Sequence, residues 1–267
     1  MVPKFSIILQ TRKRHYELSR MVDSCISTVS NLKNLEFLIA IDEDDSVPQN
    51  LYENKLVRIF KSPKQWSSLR INLAASQSTG NILMYAADDI TFATENWDQV
   101  ISSRIEKNKV PCQLIAPADN TKYSGKLATH GFVTREFSQT LGFFIPPYMA
   151  ESHHDTWLTD LAKQSNSFYF EPEVKIIHHH YRQASELAKI DELNSKRNFS
   201  NISRNPALTY ERLKSERRLD ALLIATKNQS KLKLRINFLC AEILSSILKL
   251  NVNSPYYFRI RASSNLQ

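Results

Sequence analysis

The stretch ILMYAADDITF, residues 82–92, runs apolar and then sets Asp88 beside Asp89. Adjacent carboxylates at the lip of a core repel each other and resist desolvation unless a cation or a ligand's donor groups sit opposite them. Mg²⁺ or Mn²⁺ suits such hard oxygens, keeps several waters and takes its other ligands from phosphate. The pair therefore predicts a divalent cation held together with a diphosphate. A second group is HHHY, where His178, His179 and His180 end the apolar run 174–177. The strand period of two puts His178 and His180 on the same side. Asp155, in HHDTWLTDLAKQ, stands near the start of a helical stretch, a position where Asp also serves as a cap.

These residues need a scaffold, and the first half of the chain supplies the pattern of one. Short β-rich runs (5–10, 36–41, 56–60 and 82–85) alternate with amphipathic stretches (16–29 and 65–78), the second ending at Gly80. That alternation predicts βαβ units and a largely parallel sheet. A helix over 96–107 and a strand over 113–117 follow. In open α/β sheets, ligands collect beyond the carboxyl ends of the strands. Thr11, Arg12, Asp42 and the Asp88/Asp89 pair all fall at such ends, so one crevice is expected to gather them. Further on, HGFVTREFSQTLGFF reads as a strand, a short helix and a glycine turn. From about Pro206 the chain reads as helical, with Leu232, Ile236, Leu239, Ile243, Ile247 and Leu250 at spacings of three and four.

Composition narrows the function. With 267 residues, 42% hydrophobic and 23% charged, one main core is expected. Four glycines, at 80, 125, 131 and 142, cannot write a GxGxxG turn or a P-loop, which excludes the glycine-cradle modes of nucleotide binding. Cys25, Cys112 and Cys240 are odd in number and far apart, so neither a disulfide framework nor a zinc knuckle is suggested. FSIIL is too short for a signal sequence and is followed at once by TRKR, which points to a cytoplasmic protein. The net charge of +8 lies wholly beyond residue 200, where 12 Lys and Arg face 4 Asp and Glu. Such a basic, amphipathic tail suits peripheral contact with an anionic membrane, or packing on the body or on a second copy.

Taken in order, FSIILQTRKR, FLIAIDEDD, SSLRINLAASQSTGNILMYAADD, WDQVI, ESHHDTWLTDLA and IIHHHY resemble the metal-dependent glycosyltransferases that use nucleotide-diphospho-sugars. The likeness is to inverting, family 2-like members and covers roughly residues 4–195. It implies an α/β, A-type glycosyltransferase fold, a Rossmann-like mostly parallel sheet flanked by helices. Residues 1–200 would form the catalytic domain and 201–267 a helical extension. It implies Mn²⁺ or Mg²⁺ as cofactor, a nucleotide-diphosphate sugar (a UDP-sugar first) as donor, and a glycan or glycolipid hydroxyl as acceptor. By position, Asp89 would bind the metal, joined by His178 or His180. Asp88 would touch ribose or metal, and Thr11, Arg12, Asp42 and Arg70 would surround the donor, with a carboxylate accepting the uracil N–H. Asp155 would be the general base, with Glu151 in reserve, and His153 and His154 would shape the acceptor site. Ala87 stands where such enzymes often carry a further aspartate. Two rivals fit less well. A metallohydrolase lacks any compact HExxH-like set, and a nucleic-acid binder lacks an aromatic platform in the basic tail, so no nucleic-acid partner is expected.

Overall fold

The computed structural model describes residues 4–149, 152–179 and 206–229. Glu151, His180 and the apolar stripe from Leu232 to Leu250 lie outside the described residues. Strand β1 (Phe5–Gln10) is followed by helix α1 (His15–Thr28), then β2 (Leu35–Asp42), the short α2 (Gln49–Glu53), β3 (Val57–Ser62), α3 (Ser67–Ser76) and β4 (Ile82–Tyr85). Each strand of this half agrees with its apolar run to within two residues. Alternation explains why they are buried: in β1, Phe5, Ile7 and Leu9 join one core layer with α1, while Ile8 joins the other with α3.

The second half holds β5 (Ile90–Phe92), α4 (Trp97–Asn108), β6 (Leu114–Asp119), β7 (Gly131–Thr134), α5 (Arg135–Leu141), α6 (His154–Gln164) and β8 (Phe168–His178). Helices α7 (Pro206–Arg212) and α8 (Lys214–Asn228) follow. Among the described residues eight strands form one sheet in the order β3-β2-β1-β4-β7-β6-β8-β5. Pairing is parallel through β3, β2, β1 and β4, but β4–β7, β7–β6 and β8–β5 are antiparallel, so the sheet is mixed. The alternation of runs shows the parallel half and is silent on the other, where short strands pair out of chain order.

Strand order also fixes the shape. Four inter-strand steps of about 4.8 Å separate β4 from β5 across a flat sheet, about 19 Å. The chain from Tyr85 to Ile90 reaches at most about 18 Å when fully extended, and here it makes a turn. The sheet must therefore curl, and the Asp88–Asp89 turn bridges its seam. Buried Trp97 holds that seam: its ring lies 4.9 Å from Phe92 of β5, 5.0 Å from Phe5 of β1 and 5.5 Å from Phe132 of β7.

Helix α8 packs against α5 and α6, putting Ala221 and Ile224 in the same core layer as Trp157 and Leu161. Arg217 of α8 lies 3.6 Å over the Tyr210 ring, and its Nε bonds Asp160 Oδ2 at 2.6 Å. Trp157 Nε1 reaches Asp220 at 3.3 Å. Among the described residues no helix is long and apolar enough to cross a membrane.

Candidate active site

Register, more than any single residue, assembles the site. In the β1–β4 pair Ile8 stands opposite Tyr85, so three residues on Thr11 comes level with Asp88. Thr11 Oγ1 donates to Asp88 Oδ2 at 2.6 Å. Between β1 and β2, Gln10 pairs with Ala40, and two residues on Arg12 reaches Asp42. In the antiparallel β5–β8 pair Ile90 faces His178, which brings Asp89 to the end of β8. There His178 Nε2 lies 3.4 Å from Asp89 Oδ1, while the His179 amide donates to the Asp89 carbonyl at 2.8 Å.

A cavity of about 540 Å³ opens at these strand ends, lined by Thr11, Arg12, Arg70, Asp88, Asp89, Asp155 and His178 among others. The side chains expected there thus converge, with two distinctions. Asp42 is fully buried behind the wall: Arg70 Nη1 engages its Oδ1 and Arg12 Nη1 its Oδ2. Arg70 also donates to Gln10 Oε1 at 2.9 Å, so Gln10, Arg12 and Arg70 are the groups that face the cavity. Among the histidines, His178 turns to the cavity whereas His179 Nε2 meets Thr91 Oγ1 at 3.0 Å. Because Arg70 is only 2% exposed, Arg70→Met would take a close guanidinium partner from Asp42's buried charge. Urea denaturation is expected to show a loss of about 3 kcal/mol.

Two lining residues carry no signal in the sequence reading. Arg14 Nη1 bonds Asp88 Oδ1 at 2.6 Å and approaches Asp89 Oδ2 at 3.4 Å. His130, just ahead of β7, is buried with its ring 4.7 Å from the His178 ring, and burial pushes its pKa down to about 4. Gly131 beside it must be bare, because a Cβ there would meet the Tyr85 ring and stand 2.8 Å from Leu114 Cδ1.

The carboxylates are tuned apart. Burial pushes Asp88 up to about 6 against the pull of Arg14. Burial acts on Asp89 too, but His178 beside it, with His130 and Arg14, outweighs that and holds Asp89 at about 2. Asp155 lies in the first turn of α6, crowded by protein yet open to the cavity, and burial raises its pKa although Thr156 N and Oγ1 bond its Oδ1 at 2.7 and 3.3 Å. The N-cap position of α6 belongs to His153, held at φ 66° in the left-handed region that non-glycine residues seldom adopt.

Asp89 Oδ1 is buried and, apart from the His178 ring 3.4 Å away, meets no hydrogen-bond partner among the described residues. A hard oxygen left open beside an imidazole fits a divalent cation of the Mn²⁺ type. No three His, Cys, Asp or Glu side chains among the described residues converge to hold one unaided. Remaining ligands would thus come from phosphate and water.

Solved structures share this architecture. GalNAc-T7, solved with UDP, GalNAc and Mn²⁺, superposes with a TM-score of 0.55 at 16% identity, over 66% of this chain and 43% of its own. The mannosyltransferase PcManGT of Pyrobaculum calidifontis, in complex with GDP-Man and Mn²⁺, gives 0.54 at 12% identity, over 98% of this chain and 84% of its own. The fold is the A-type glycosyltransferase fold. S. aureus TarS matches at 0.52 and 16% identity, over 79% of this chain and 42% of its own. The chain thus spans less than half the length of GalNAc-T7 and of TarS. No family model matches the sequence, and no curated protein is similar to it. Within the A-type fold, the aspartate turn, the end of β8 and the start of α6 all meet at one cavity.

Proposed function

We propose that the protein is an inverting glycosyltransferase that moves a sugar from a nucleotide-diphosphate donor, a UDP-sugar first, to a hydroxyl of a glycan or glycolipid. The observation that carries this reading is a single cavity holding two kinds of carboxylate. Asp89, kept ionised and with an open oxygen, suits a cation, and Asp155, with its raised pKa, suits a proton. The UDP and GalNAc of GalNAc-T7, the GDP-Man of PcManGT and the Mn²⁺ of both support it.

In this reading Asp155 takes the proton of the acceptor hydroxyl as its oxygen attacks the anomeric carbon, and the bond from that carbon to the diphosphate oxygen breaks on the opposite face. Asp89 and His178 would hold a Mn²⁺ or Mg²⁺, which when bound would supply positive charge to the departing diphosphate. Gln10, Arg12 and Arg70 meet the nucleotide, and Asp42 behind them fixes the two guanidinium groups. His153 and His154 stand at the acceptor side; His154 Nε2 is tied to the Met149 carbonyl at 2.7 Å. The cytoplasm is the proposed setting, with the basic segment beyond residue 229 meeting anionic lipid.

A thermal-shift screen of nucleotide sugars with Mn²⁺ tests this. A true donor at about 100 times its Kd stabilises the native state by about 2.7 kcal/mol. Its shift is expected to shrink in EDTA. No shift with any nucleotide sugar would overturn the reading, and free sugar released as fast without acceptor as with it would favour hydrolysis.

A further inference from the structure

Arg14 closes the loop after β1 and immediately precedes α1. Its guanidinium and the Thr11 hydroxyl between them engage both oxygens of Asp88, each at 2.6 Å. Asp89 is treated differently, since Arg14 approaches only its Oδ2, at 3.4 Å, and among the described residues Oδ1 has only the His178 ring beside it, also at 3.4 Å. All the charges concerned are deeply set: Arg14 is 9% exposed, Asp88 4% and Asp89 6%. At such depth neighbouring carboxylates repel through a low effective dielectric, and a resident cation changes the balance strongly. Arg14, closest to Asp88, thus offsets part of the pair's negative charge. A pair so offset, with one imidazole, holds a hydrated divalent ion poorly, because such ions shed water reluctantly. A nucleoside diphosphate brings the charge that is missing.

We propose that Arg14 is a built-in counter-cation: it reserves Asp88, keeps the site from retaining a divalent ion by itself, and so makes cation and diphosphate enter together. The inference rests on the reading of this cavity as a cation–diphosphate site. Arg14 is a positioning residue here, acting through the aspartates.

The test is Mn²⁺ binding followed by the electron paramagnetic resonance of free MnCl₂, which needs no turnover. Wild-type protein is expected to bind Mn²⁺ weakly alone and much more tightly once UDP is added. Arg14→Gln is expected to bind Mn²⁺ alone at least about tenfold more tightly, as the second carboxylate loses its counter-charge. The gain from UDP should shrink in that variant, and because coupling is reciprocal the gain in UDP affinity from Mn²⁺ should shrink with it by an equal factor. Arg14→Lys, which keeps the charge, and the double variant Arg14→Gln with Asp88→Asn, which removes one charge of each sign, should stay close to wild type. Equal Mn²⁺ affinity in wild type and Arg14→Gln would overturn the proposal, as would equal tightening in all three variants. An Arg14→Gln chain that folds only with Mn²⁺ present supports it, and one that stays unfolded regardless overturns it. Mn²⁺ binding that ignores Arg14 sinks this inference alone, whereas no Mn²⁺ binding by any variant, with or without UDP, sinks the site reading as well.

Discussion

Asp155→Asn is expected to lower the rate of transfer by about 10²- to 10⁴-fold while leaving nucleotide-sugar affinity nearly unchanged. The substitution keeps the shape and the acceptor oxygen that Thr156 N and Oγ1 use, but it cannot take a proton. The N-cap of α6 is at His153, so little helix stability hangs on the carboxylate itself. The pH profile gives a second measure. A base works only when deprotonated, so kcat/KM should rise with pH through the Asp155 pKa and level off above it. Burial places that limb above the usual value of about 3.9. The Asn variant should lose the limb along with the rate. Near-normal turnover would remove Asp155 from the chemistry and bring Glu151 forward for the same substitution.

Asp89→Ala should abolish transfer and reduce donor affinity to the level wild-type protein shows in EDTA. Its carboxylate, held at about 2, is ionised throughout the neutral range, so its metal affinity should be flat from about pH 5 to 8 on its own account. The variant also gives up the Oδ2 contact with Arg14 and the Oδ1 ion pair with His178, each 3.4 Å long, so urea denaturation should show a modest loss of stability that is read apart from donor binding. Isothermal titration of nucleoside diphosphate, with Mn²⁺ and then with EDTA, reads the loss of affinity separately from catalysis. A variant whose donor affinity still responded to Mn²⁺ would place the cation elsewhere.

Why some of this could be read in advance, and some not, is a matter of range. Strands β1, β2 and β4 are buried on both faces and announce themselves as apolar runs, and the polar residues just beyond them follow. Thr11, Arg12, Asp88 and Asp89 were legible on that ground. Arg14 was not, since in TRKR it is one cation among three, and only the Ile8–Tyr85 register makes it the neighbour of Asp88. His130 sits in ATHGFV without periodic context, and its partner His178 arrives on a strand from a distant part of the chain. β5 is three residues long, too short for a period of two to show. β8 shows in the sequence only from Val174, because its first half, FYFEPE, is partly exposed and pairs with β6 across an irregularity at Pro117/Ala118. Asp42 stands at a strand end as expected, but its burial behind two arginines depends on Arg12, just past β1, and Arg70, on α3, converging on it from distant parts of the chain.

The curl of the sheet has a consequence for how the molecule is made. Strands β1 to β4 and the helices between them are complete by Tyr85, and that half can begin to form while the ribosome is still at work, as N-terminal units generally do. The aspartate turn cannot. It is fixed only when β5 pairs with the last residues of β8, and His178 is among the final described residues of the body before the helical segment. Closing so long a loop is slow and comes late. A nascent or truncated chain ending before β8 would thus carry the β1 to β4 half of the cavity without His178 beside Asp89, so on the proposed reading it would be unable to hold a cation there.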